Sequence, residues 1–119
     1  MSDKLKASAE RIAEIATERN VGIEPLTIIT IMTQVLPLIV SCFKRNDTSD
    51  PEQVAVEVRR QNESAPTTLR RRLARRIRGE AERPMTRQEA WILAESTIQH
   101  VLENDDSHVA AVCAAVGDE

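Results

Sequence analysis

The sequence predicts an all-α fold: a small helical bundle of five to six helices around a long, strongly apolar central helix at about residues 25–44. Three observations lead there. Apolar residues recur at three- and four-residue spacing in nearly every segment, which is the period of one helix face. Helix punctuation is frequent: Pro25 and two Ser/Thr-x-x-Glu boxes open segments, while Gly22 and Gly117 close them. Aromatic residues are confined to Phe43 and Trp91, so the core must be built from Leu, Ile, Val and Ala, which suits helix packed on helix.

The first helix is expected from a Ser2 cap to about Arg19. Leu5, Ala9, Ile12, Ala13, Ile15 and Ala16 form a narrow apolar stripe, and Asn20–Val21–Gly22 is a stop signal with Gly22 suited to a left-handed cap. The short link to Pro25 predicts that the first two helices are neighbours.

Residues 25–43, PLTIITIMTQVLPLIVSCF, carry no charge. On a helical wheel Thr27, Thr30, Gln34 and Ser41 fall on one polar seam, and apolar side chains fill an arc of roughly 200°. Pro25 fits a first turn, whereas Pro37 removes a mid-helix donor and predicts a bend. Such a helix serves as the core of a bundle, or as an oligomer seam where the polar line meets other copies. An uncharged run of this length also suits insertion into a bilayer. The Gln, the Pro and the hydroxyl side chains count against insertion.

Ser49–Asp50–Pro51–Glu52 opens a weak third helix over about 51–62, in which Val54, Val56 and Val58 alternate as in a strand. A lone short strand has no partner in this chain, so helix is preferred. Residues 62–66 are expected to break the chain. The arginine-rich segment 67–83 follows, with Leu69, Leu73 and Ile77 on one face. Arg71, Arg72, Arg75, Arg76 and Arg78 lie opposite, and Arg70 flanks the apolar stripe. The box Thr86–Arg87–Gln88–Glu89 starts a helix to about Glu103. Its apolar face is Trp91, Ala94, Ile98 and Val101, widened by Ala90, Leu93, Thr97 and Leu102. A last short helix from Ser107 turns Val109, Val112, Cys113 and Val116 inward. The whole reads as a single domain over 1–119: a helical hairpin (1–45), a basic segment (49–83) and an acidic segment (86–117). Both termini are expected to be held by contacts.

Charge is segregated. Residues 59–87 carry ten Arg and three Glu, a net +7, and residues 88–119 carry seven Asp/Glu with no Lys or Arg, a net −7. The first 58 residues contribute the remaining −3 of the chain. The arginine helix is the one chemically loud feature, because guanidinium groups stay charged and bind phosphates or carboxylates bidentately. Arg70, Arg71, Arg72, Arg75, Arg76 and Arg78 are therefore candidate anion- or partner-binding residues. Three partners fit them: the acidic third of the same or another copy, a nucleic-acid backbone, or membrane phosphates. The scarcity of aromatics counts against platforms that stack single-stranded bases.

Signals for catalysis are missing from the sequence. His100 and His108 are eight residues apart across a predicted break, which is not the i, i+4 spacing of a helical zinc site. Cys42 and Cys113 lie in apolar runs, where a thiol is inert, and a reducing compartment suits them. The three glycines form no phosphate loop. Residues 1–20 are charged throughout and do not read as a secretory leader. No metal and no cofactor is expected. In texture the chain is similar to the small, arginine-rich, all-helical products of phage and mobile-element reading frames, and no residue role follows from that. The expected function is a non-enzymatic structural or interaction protein that acts as an oligomer, a component of a larger phage-like particle, cytoplasmic or within the particle. The alternatives are a nucleic-acid-binding module using 67–83 and a small membrane-inserted protein using 25–43.

Overall fold

Five helices follow one another among the described residues: α1 (Asp3–Glu18), α2 (Pro25–Phe43), α3 (Pro51–Ser64), α4 (Pro66–Glu80) and α5 (Arg87–Glu103). The structure is a computed structural model that describes the backbone of residues 3–43 and 51–103 and the side chains of 6–36 and 56–103. No strand occurs among these residues. The expected last helix, the Ser49–Asp50 half of the third cap, and the side chains of Ser41, Cys42 and Cys113 lie outside them.

The helices pair as α1 on α2 and α4 on α5. The pairs meet where α1 crosses α5 and α2 touches α4, and α3 leans on α4 and α2. Every stripe predicted for a described side chain of α1 and α4 is buried: Ala9, Ile12, Ala13, Ile15 and Ala16 on the first, Leu69, Leu73 and Ile77 on the second. α2 adds Ile28, Ile31, Met32, Val35 and Leu36 to the same core, and α5 adds Ala90, Leu93, Ala94 and Ile98. Among the described residues no helix is long and apolar enough to cross a membrane.

The α1–α2 turn is built as the sequence implies. The N–H groups of Arg19 and Asn20 bond back three residues to Ala16 and Thr17, tightening the last turn. Asn20 (φ 54°) and Gly22 (φ 78°) then take left-handed conformations that reverse the chain. Val21 and Ile23 tuck into the core between them.

Two boundaries differ from expectation. The break at 62–66 shrinks to one residue, since α3 runs to Ser64 and α4 begins at Pro66. Ala65 alone leaves the helix (φ −148°, ψ 65°), because the following proline ring crowds helical geometry at the residue before it. Helical bonding flanks the turn on both sides: the Ala65 N–H donates to the Gln61 carbonyl, and the Ala65 carbonyl accepts from Leu69. At the other end, α4 stops at Glu80 and not at Arg83, with Ala81 extended and its N–H capping the Ile77 carbonyl. In α3 the alternating valines do not act as a strand. Val58 is buried and Val56 is 50% exposed, the split a helix imposes on positions two apart.

Candidate anion-binding groove

α5 begins with its capping box formed. The Thr86 N–H donates to Glu89 Oε1 at 2.8 Å, and the Glu89 N–H donates to Thr86 Oγ1 at 3.1 Å. The Thr86 amide, more than any other group, holds the Glu89 carboxyl below its ordinary range. This box fixes the phase of the helix, so that Arg87 and Trp91, one turn apart, share a face. That face looks onto α4, where Arg71, Arg75 and Arg78 stand at i, i+4 and i+7, another single line.

Between the two lines lies a groove of about 620 Å³, lined by Arg71, Arg75, Arg78, Arg87 and Trp91 over the small residues Ala74, Gly79 and Ala90. Among the described residues no acidic side chain lines it. A Cβ built on Gly79 would meet nothing within 4 Å, so the recess is open there. Among the described residues none of the four arginines has a hydrogen-bonded or ion-paired partner.

The other arginines of α4 are engaged. Arg70 turns to the far side, where it donates to Asn62 Oδ1 and the Pro66 carbonyl at 3.0 Å and stands 4.0 Å from Glu95. Arg72 donates to Gln61 at 3.0 Å. Arg76 lies 4.0 Å from Glu80, with its Nε buried and unbonded. On that far side a second groove of about 450 Å³ is lined by Arg19, Arg70, Glu95, Gln99, Leu102 and Glu103, and it is neutralised by its own pairs. Arg19 donates to Gln99 at 2.7 Å and sits 3.5 Å from Glu95.

Two of the three described acids of α5, Glu95 and Glu103, are thus matched by arginines of α1 and of the turn after it. Arg11 grips Glu103 with two donors, at 2.7 and 3.1 Å, and also reaches Glu14 at 3.0 Å. The Arg11 hydrogen bonds hold the Glu103 carboxyl below its ordinary range, and Glu103 in turn raises the guanidinium pKa. Among the described residues, pairing between the basic block's helix α4 and the acidic α5 amounts to Arg70 and Glu95.

Two features escaped the sequence reading. Arg87 and Trp91 join the site from α5, and their i, i+4 spacing beside the basic block was the available signal. Trp91 was expected to face the core, yet it is half-buried at the groove, while Ser96 and His100 join the expected Thr97 on the buried face. His100 Nε2 lies 3.1 Å from Ser8 Oγ, and its Nδ1 lies 3.4 Å from Glu103. Serine, imidazole and carboxylate in this order resemble a hydrolytic triad. However, Ser8 is 3% exposed, sits mid-helix where neighbouring N–H groups are bonded within the helix, and lines neither groove. The cluster clamps α1 to α5.

The expected seam is divided. Thr27 is half-buried, while Thr30 and Gln34 are exposed. Thr30 Oγ1 donates to the Leu26 carbonyl at 3.0 Å, and Thr33 Oγ1 to the Ile29 carbonyl at 2.7 Å. Among the described residues no cluster of three or more His, Cys, Asp or Glu has metal-holding geometry. No protein-family model, no curated protein and no solved structure matches the chain. By fold it is an all-α protein, and its most distinctive surface is a cationic groove between two helices.

Proposed function

We propose that the protein is a non-enzymatic binding protein whose ligand is nucleic acid, taken by its phosphates in the α4–α5 groove. One observation carries the reading: four guanidinium groups from two helices line one groove, and among the described residues no carboxylate lines it and none of the four has a partner. Like charges gathered this way repel unless an anion joins them, and guanidinium forks match phosphate oxygens. Along α4 the rise of about 1.5 Å per residue sets Arg71, Arg75 and Arg78 over about 10 Å, a row suited to a repeating anion. The chain's net charge of −3 opposes non-specific binding elsewhere on the surface.

The test is fluorescence anisotropy with a labelled oligonucleotide at low salt. Joint replacement of Arg71, Arg75 and Arg78 by Gln should weaken binding by about tenfold or more. The same charge change made off the groove, with Arg60→Gln, Arg72→Gln and Arg83→Gln together, should weaken it far less. Equal losses for the two variants contradict a groove and leave only net charge.

A second reading is self-association through α2, the apolar helix about which the bundle would be built, with the protein acting as an oligomeric component of a particle in the cytoplasm. Leu26 favours it, because it is 76% exposed and stands in line with exposed Thr30 and Gln34 at four-residue steps. The native mass of wild type and of Gln34→Leu tests it; a monomer in both excludes the seam.

A further inference from the structure

We infer that the α4–α5 groove takes an unpaired nucleotide of a single strand, with its base against Trp91 and its phosphates on Arg71, Arg75, Arg78 and Arg87. This rests on the nucleic-acid reading above and narrows it to one kind of ligand. Trp91 is the one tryptophan of the sequence, and it lines the groove with four arginines and, among the described residues, no acid. The interior face of α5 is already filled by Ala90, Leu93, Ala94, Thr97 and Ile98, and Trp91 stands off it, half-buried.

An indole in a recess discriminates between forms of nucleic acid. A duplex hides the faces of its bases in the stack and offers only their edges in the grooves. A single strand lets a base leave the stack and lie on an aromatic face, which every base does irrespective of sequence. The groove's size, about 620 Å³, lies within the range of roughly 300–1,000 Å³ typical of small-ligand sites. Its floor is small side chains, and open space surrounds the Gly79 Cα. The scarcity of aromatics noted in the sequence therefore limits the platform to one base and does not remove it.

Trp91 fluorescence reads the contact directly in the intact wild-type chain. The ligands are an unlabelled oligothymidylate, a duplex, inorganic polyphosphate and a free nucleoside triphosphate, with anisotropy of a labelled strand run in parallel. The oligothymidylate should quench Trp91 and saturate with the anisotropy curve. Duplex and polyphosphate should leave the emission nearly unchanged, and the free nucleotide should bind at least about tenfold more weakly than the strand, because it holds fewer phosphates. Gly79→Leu fills the recess while keeping all four arginines, and it suits a helix. It should remove the quenching and weaken the single strand by about tenfold, the typical worth of one stacked base. Anisotropy that rises without quenching, or polyphosphate that quenches equally, overturns the stacked base and leaves nucleic-acid binding standing. A free nucleotide that binds as tightly as the strand overturns the strand as ligand. An oligonucleotide that does not bind at all removes the proposed function and this inference with it.

Discussion

Ser8 shows what one buried hydroxyl does between two helices. Its Oγ and His100 Nε2 satisfy each other at 3.1 Å inside the α1–α5 contact, where neither polar group reaches water freely. Ser8→Ala removes the partner and should destabilise the fold by about 1–2 kcal/mol, read as a lower urea midpoint at unchanged slope. An unchanged midpoint contradicts the clamp. Trp91 and His100 were the residues least legible in the sequence. A wheel assigns each position an angle but not a neighbour, and which part of a broad face is covered depends on where α1 and α4 lie. The three α4 arginines that line the groove were legible as cations, since five of six neighbouring arginines fall opposite Leu69, Leu73 and Ile77. Which of them remain unpaired was not, because Asn62, Gln61 and Glu95 come from other helices or other turns.

Helix starts were legible where the side chain caps its own helix. The Thr86–Glu89 box is local chemistry, complete within four residues. Thr86→Ala should cost about 1 kcal/mol, measured by thermal or urea unfolding. The same box and the Arg11–Glu103 pair set an acid limit. Both Glu89 and Glu103 have folded pKa values below their ordinary value, so their stabilising contribution is fully present above about pH 4.3 and is lost as pH falls through the depressed values. The melting temperature should hold, as far as these two groups are concerned, from pH 7 to about 5 and fall below about 4. Glu89→Gln keeps a box-compatible side chain without a titrating carboxyl, and should show a shallower acid loss. Among helices, α2 tests the core most simply. Met32 is fully buried, and Met32→Ala should cost about 2–5 kcal/mol. A cost below about 1 kcal/mol contradicts the packing described for α2. The α3–α4 boundary was misjudged because Asn62, Glu63 and Ser64 suggest a loop by type, whereas a single pre-proline residue suffices to turn the chain.

Across the molecule, charge is arranged in three ways that the linear blocks of +7 and −7 did not reveal. On α5, Glu103 goes to Arg11 and Glu95 to Arg19 and Arg70, while Glu89 caps its own helix. The exposed Arg60 is paired with Glu57 one turn away on α3. The four groove arginines, by contrast, have no protein partner among the described residues. Segment charge was legible in the sequence; the pairing was not, since Arg11 reaches Glu103 across a sequence separation of 92. The all-helical class was legible because apolar spacing at helical period recurs in α1, α4 and α5 and a complete capping box opens α5.

The most direct measurement is the salt dependence of single-strand binding. Each phosphate neutralised on a single strand contributes about 0.7 to the slope of log affinity against log salt, so four groove arginines predict a slope of about −3. With Arg71, Arg75 and Arg78 all changed to Gln, the slope should fall to about −1. A slope that is the same in both proteins, or no binding at low salt, contradicts the groove as the nucleic-acid site.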